Sequence, residues 1–362
     1  MAYCPIALPP MSELLCDLWY FAAASSEVKR GAMFRREILG EPVVIGRDQE
    51  GKAFALRDIC PHRAVPLSSG RIVANDGVQT VECPYHGFRF GAGDGVCKLI
   101  PSLADGQAYE VGKIRVRHFP TFEANGVILI YVAADPRFAG EPPTPPEFGL
   151  GDLRQPKFVI HRVFAANMDN AVVGLMDPAH VPYVHSQWWW RPPSTGKKLK
   201  QKRFVPRERG WAIERHKPAS NSLAYRALFG EAVTTEISFM LPGFRWEVVE
   251  TAKVRLFTLT CLTPENENST RITQVTYWKG APLLDVMKPI LIPAGLEFLD
   301  QDGRMVDLQN EGLKYTPSML WIDDIDVQAK WYLKLKREWV KSREEKREFV
   351  NPIEATTLRW MS

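Results

Sequence analysis

Residues 60–88 read CPHRAVPLSSGRIVANDGVQTVECPYHGF, a stretch in which two cysteine–histidine pairs recur among short β-type segments. Cys60-Pro61-His62 is followed, after twenty intervening residues, by Cys83-Pro84-Tyr85-His86, so each of two loops offers one thiolate and one imidazole. Six cysteines in 362 residues do not make a disulfide scaffold, and cysteines beside histidines point to metal instead. Outward from this stretch, Val43–Ile45 and Ala53–Leu56 flank one polar segment, while Lys113–Val116 and Val127–Tyr131 flank a Glu-Ala-Asn-Gly turn. Both patterns predict hairpins, which makes the N-terminal part all-β.

The length suits two domains, and 45% apolar with 24% charged residues excludes disorder and coiled coil. Forty-six basic against 42 acidic side chains leave +4, too small a surplus to argue for nucleic acid. The longest apolar run, GVILIYVAA at 126–134, suits a buried strand and is too short to span a membrane. The start MAYCPIALPP lacks the pattern of a secretory signal, so a cytoplasmic location is expected.

Six prolines between 135 and 156 predict a connector, which places a first domain at 18–135, a linker at 136–156 and a second domain at 157–362. In the second, β-rich runs at 253–262 and 271–278 are joined by PENENST. The segment 323–346 carries Trp331, Leu335 and Trp339 at helical spacing. An antiparallel sheet covered by helices satisfies both patterns, so the fold class is α+β. The basic stretch 197–209, with Lys197, Lys198, Lys200, Lys202, Arg203, Arg207 and Arg209, reads as a solvated loop, with docking of an acidic partner or attraction of an anionic substrate as the alternative. Trp188, Trp189, Trp190, Phe204, Trp211 and Phe239 read mainly as core or interface.

A second constellation follows the linker. GLMDPAHVPYVH at 174–185 places Asp177, His180 and His185 within nine residues of a chain with seven histidines. Asp177 before Pro178 also reads as a helix N-cap. Histidines five apart diverge by about 140° on an ideal helix, but Pro182 between them predicts a helix that ends or distorts, letting both rings meet one ion. Two imidazoles and a carboxylate are what a mononuclear ferrous site with open positions requires. The first constellation suits a [2Fe–2S] pair with thiolates on one iron and imidazoles on the other; zinc bound by two cysteines and two histidines is the alternative. Zinc fingers group like ligands together, whereas both pairs here are mixed.

The strings CPHRAVPLSSGRI and CPYHGFRFGAGDG resemble the cluster-binding loops of Rieske proteins, and the order cluster, linker, DxxHxxxxH resembles Rieske non-haem iron oxygenases over nearly the whole chain. One departure is the longer inter-loop segment, in which VANDGVQT reads as an enlarged turn. The resemblance implies an N-terminal Rieske domain followed by a helix-grip catalytic domain. It implies a [2Fe–2S] cluster on Cys60, Cys83, His62 and His86, and an iron on His180, His185 and a late acid. That acid is Asp302 in LDQDGRMVDLQNEG, with Asp307 and Gln309 following as in the family and Asp300 as competitor. It further implies that Asp177 bridges the two sites by hydrogen-bonding a metal histidine and, across a subunit boundary, the cluster ligand His86. Gly174 stands where many relatives carry Asn or Asp, with Asn170 a possible substitute, and Cys97 reads as a core or surface thiol outside the cluster.

The function so implied is that of a terminal oxygenase in aromatic compound catabolism, using O2 and two externally supplied electrons. The nearest likeness is to vanillate and dicamba O-demethylases; ring cis-dihydroxylation and N-demethylation are the alternatives. No GxGxxG fingerprint or further cluster motif is present, so a ferredoxin or an NAD(P)H-dependent reductase is the expected electron donor. A small aromatic substrate and a homotrimer complete the expected partners. From another class, an electron-transfer or ligand-binding protein without oxygen chemistry would carry the cluster but not the open triad.

Overall fold

The computed structural model describes residues 14–185, 199–217 and 232–361. Cys16–Gly149 forms one compact unit and the chain from Leu150 onward forms another.

The first unit has ten strands: β1 (Leu18–Ala24), β2 (Met33–Ile38), β3 (Glu41–Arg47), β4 (Ala53–Arg57), β5 (Arg71–Asn75), β6 (Val78–Glu82), β7 (Arg89–Gly91), β8 (Cys97–Leu99), β9 (Thr121–Ala124) and β10 (Val127–Val132). They form antiparallel sheets ordered β1-β10-β9, β2-β3-β4 and β5-β6-β7-β8. LWYFAAA in β1 and VILIYV in β10 are buried at every position, as continuous apolar runs require. The partner of β10 differs from the expected Lys113–Val116. Asn125 and Gly126, at φ 53° and 77°, close a two-residue turn, so the residues directly before them, β9, must pair with β10. Ile114 and Val116 instead bond to Cys97 and Gly95. The segment read as an enlarged turn is a complete hairpin, β5–β6, about the left-handed pair Asp76-Gly77.

The second unit contains β11 (Phe158–Phe164), α1 (Met168–Met176), α2 (Val181–Val184), β12 (Leu199–Arg207), β13 (Gly210–His216), β14 (Thr234–Met240), β15 (Phe244–Glu250), β16 (Arg255–Asn266), β17 (Ser269–Lys279), α3 (Pro282–Leu313), α4 (Val327–Glu344) and β18 (Thr356–Met361). The eight strands among its described residues make one antiparallel sheet, ordered β11-β17-β16-β15-β14-β13-β12-β18. The helical stripe holds: Trp331, Leu335 and Trp339 are buried, and Trp331 meets Phe204 and Trp211 edge-on. The basic stretch is not a loop where it is described. Leu199–Arg207 is a strand bonded to β13 and β18, with Arg203 and Arg207 paired to Glu214 and Glu236. Alternation explains this, because Lys200, Lys202 and Phe204 share the more buried face while Leu199, Gln201 and Arg203 between them are exposed. Lys197 and Lys198 lie outside the described residues, as do Trp188, Trp189 and Trp190.

Two features hold the helices that matter for function. Asp169 of α1 accepts bonds from Tyr332 (2.7 Å) and Lys336 (2.9 Å) of α4, a buried ion pair whose remaining acceptor capacity is satisfied by the phenol. Helix α3 contains Pro289 and Pro293, which local propensity would exclude from a helix interior. Packing prevails: Leu284, Leu299 and Val306 are buried, and Gly295 and Gly303 let α3 lie close to Ile160 and Phe164 of β11. Among the described residues no helix is long and apolar enough to cross a membrane.

Candidate functional site

The two cysteine–histidine loops follow β4 and β6 and share one backbone design. Cys60 N–H bonds Val65 O and Ala64 N–H bonds Cys60 O; Cys83 N–H bonds Phe88 O and Gly87 N–H bonds Cys83 O. The residue four after each cysteine is left-handed, Ala64 at φ 59° and Gly87 at φ 70°. For Ala64 that conformation costs about 1–2 kcal/mol, so the loop shape is imposed by its surroundings. Both thiols are buried beside Leu67, Val81 and Phe90, while His62 and His86 lie exposed with ring centroids 4.6 Å apart. His62 stacks on Phe88 at 4.8 Å. Burial pushes the Cys60 thiol up to about 11, so it stays protonated unless a metal takes its place. Sulfur inside and nitrogen outside fits a diiron cluster with one buried and one surface iron. Cys97 is a buried thiol whose Sγ donates to Leu99 O, apart from this set.

The second constellation is assembled by α1, α2 and α3. Helix α1 stops at Asp177, since Pro178 cannot continue it, and α2 is a single turn bracketed by His180 and His185. His185 leaves the helix for an extended conformation, ψ 111°, and so the two rings converge to 5.4 Å instead of diverging. His180 Nε2 and His185 Nε2 lie 3.6 Å and 3.5 Å from Asp302 Oδ1. Each Nδ1 is already engaged: that of His180 with Asp177 O at 2.6 Å, that of His185 with Gln301 Oε1 at 3.0 Å. A carbonyl can only accept, so both Nδ1 atoms carry the proton and both Nε2 lone pairs are left for a metal.

The site's electrostatics favour a cation. Among the described residues His185 Nε2 is buried without a hydrogen-bond partner, a state rare in proteins unless something else binds there. Burial pushes His185 down to about 4, keeping it a neutral ligand, and pushes the Asp302 carboxyl up to about 6 against the pull of His180 and Arg245. A divalent ion would hold that carboxyl ionised. Two neutral imidazoles and one carboxylate, with ligand atoms within 4.8 Å of one another, fit a ferrous ion that retains open positions.

Asp300, the competing acid, faces away and binds Arg162 through both oxygens, at 2.6 Å and 3.1 Å. Asp177 ends α1 rather than starting a helix, and its carboxylate accepts from Ala179 N–H at 2.7 Å. Its contact with His180 is made by the backbone carbonyl and not by the side chain. Sequence reasoning missed Gln301 and Phe298, which stacks on the His185 ring at 3.5 Å. The available signal was position: Gln301 adjoins Asp302 in the chain and Phe298 precedes it by one helical turn.

A cavity of about 210 Å³ adjoins His180 and Asp302, walled by Phe164, Leu175, Val184, Ile272, Leu299 and Met305. Gly174 lines it too, whereas Asn170 does not. A Cβ at Gly174 would meet nothing within 4 Å, and its backbone is not left-handed, so neither strain nor crowding requires glycine there. Gly174→Ala is therefore expected to raise stability by about 0.4–1 kcal/mol, visible as a higher melting temperature.

Comparison with known families agrees with this division of labour. A model of the Rieske [2Fe-2S] domain matches residues 18–120, and a model of the vanillate O-demethylase oxygenase C-terminal domain matches residues 164–338. The chain belongs to the Rieske non-haem iron oxygenases. It is 36% identical over 170 residues to the dicamba O-demethylase oxygenase component of Stenotrophomonas maltophilia, covering 47% of each chain. It is 32% identical over 200 residues to chlorophyllide a oxygenase of Arabidopsis thaliana, covering 53% of this chain and 34% of that one. The matches thus span about a third to a half of these relatives. Dicamba monooxygenase bound to dicamba has the same fold, with a TM-score of 0.69 at 23% identity, over 91% of this chain and 98% of that one. Rieske oxygenases carry a [2Fe–2S] cluster and a mononuclear iron, which agrees with the two donor sets found here.

Proposed function

We propose that the chain is the terminal component of an oxygenase system and inserts one oxygen atom of O2 into a small aromatic substrate, with O-demethylation as the favoured reaction. The observation that carries this reading is the convergence of His180, His185 and Asp302 beside an apolar cavity of about 210 Å³. On this reading Cys60, Cys83, His62 and His86 hold the cluster, and His180, His185 and Asp302 hold the iron. When bound, these groups supply single electrons and a ferrous ion able to react with O2. The protein's own contribution is to keep both imidazoles neutral with Nε2 free, to hold the Asp302 oxygen between them, and to seat the substrate against apolar walls that exclude water.

The cavity volume favours one ring: a dry cavity of about 150 Å³ accommodates benzene, and the space here is modestly larger. A tetrapyrrole, as named for the chlorophyllide a oxygenases, is far bigger. For a methoxylated ring the balance is O2, two electrons and two protons in, water and a hemiacetal out. The hemiacetal then collapses to a phenol and formaldehyde. The electrons require a ferredoxin or reductase partner. A ring of three copies would place the His86 of one copy beside the Asp177 of the next.

The test is turnover with a surrogate ferredoxin and reductase on a panel of methoxybenzoates, unsubstituted benzoates and a chlorophyllide. Formaldehyde equimolar with phenol is expected from methoxybenzoates. Dihydrodiols from the unsubstituted acids, or turnover of the tetrapyrrole alone, would reject O-demethylation of a single ring.

A further inference from the structure

We propose that Glu297 and Gln301 form a positioning pair for His185, in which the Glu297 carboxylate selects the end of the Gln301 amide that faces the imidazole and thereby leaves Nε2 bare for a metal. The inference rests on the reading of His180, His185 and Asp302 as a metal site. An amide has an accepting and a donating end of nearly the same shape, so only its neighbours determine which way it points. Gln301 is 3% exposed, which leaves the choice to protein groups rather than to bulk water.

Glu297 lies one turn earlier on α3, and its Oε1 accepts from Gln301 Nε2 at 3.3 Å. The same oxygen accepts from Arg304 at 2.8 Å, so a guanidinium holds the carboxylate in place. Positions 297, 301 and 304 follow the four-and-three spacing of one helix face. With its NH2 group turned to Glu297, the amide presents its carbonyl to His185 Nδ1 at 3.0 Å. That nitrogen must then be the donor.

The reversed amide would set its carbonyl against the Glu297 oxygen and its NH2 group against Nδ1. Nδ1 would have to accept, the ring proton would move to Nε2, and the nitrogen facing Asp302 at 3.5 Å would be blocked. His180 needs no such selector, because its Nδ1 meets a backbone carbonyl that has no other orientation. The two metal histidines are thus oriented by different means, one by main chain and one by a side-chain relay that mutation can reverse.

The experiment uses protein that retains its cluster but has been stripped of mononuclear metal, and reads Co(II) affinity by chelator competition alongside the 15N spectrum of labelled histidines. The wild type should bind one Co(II), lost in His185→Ala, and show His185 protonated at Nδ1. Gln301→Leu should weaken Co(II) about 10–100-fold. Glu297→Gln should give a mixture of His185 tautomers. The double exchange Glu297→Gln with Gln301→Glu keeps an acceptor towards His185 and a donor behind it, and should restore affinity to within about threefold of wild type, well inside the loss expected of Gln301→Leu. Wild-type affinity in Gln301→Leu, or a single Nδ1–H tautomer in Glu297→Gln, would overturn the inference alone. Failure of the wild type to bind Co(II), or binding that His185→Ala leaves unchanged, would overturn the metal site and the inference together.

Discussion

His180→Ala should reduce product formation to background, a loss of more than about 10³-fold, while the visible absorption of the iron–sulfur cluster stays as in the wild type. The His180 side chain is 18% exposed and its hydrogen bond runs to the Asp177 carbonyl, so its removal should be tolerated by the fold. What is lost is one of the three ligand groups, His180, His185 and Asp302. His185 and Asp302 alone offer one nitrogen and one carboxylate, too few to hold a ferrous ion against water and chelators. Iron analysis should fall from three atoms per chain towards the two of the cluster. Undiminished iron content together with unchanged product would remove His180 from the site.

Asp177→Asn should act on electron delivery and leave the metals in place. The carbonyl that orients His180 belongs to the main chain and survives the exchange, and an Asn oxygen can still accept from Ala179 N–H. Only the negative charge and the acceptor capacity of the second carboxylate oxygen disappear. If that carboxylate links a cluster histidine to the iron site, reoxidation of the reduced cluster in a single turnover should slow about 10–100-fold, with iron content unchanged. Reoxidation at the wild-type rate would confine Asp177 to its local role of ending α1 and turning the chain into α2.

These two residues also show how far local reading reaches. Pro182 and the five-residue spacing were enough to expect that a helix between His180 and His185 would fail, because helix termination is a property of neighbouring residues. The Asn125-Gly126 turn carried the same kind of local information, yet the strand before it was misplaced. Ile114 and Val116 give Lys113–Val116 the pattern of a strand, but a two-residue turn pairs its immediate flanks. The basic strand β12 was hidden because its alternation is carried by the one deeply buried ring of Phe204, with lysines and arginines on both sides.

From its sequence alone this protein is recognisable as a two-site metalloprotein. The cysteines and histidines proposed for the cluster sit on two short loops and the histidines proposed for the iron on one helical turn, so their spacing is written in adjacent residues. Only the tertiary structure decided that Asp302 and not Asp300 faces those histidines, that Gln301 reaches His185 across 116 residues, and that a helix with two internal prolines carries both. These outcomes depend on how closely α3 can approach β11 through Gly295 and Gly303. Such an approach is settled by the summed packing of segments far apart in the chain, and no local pattern records it.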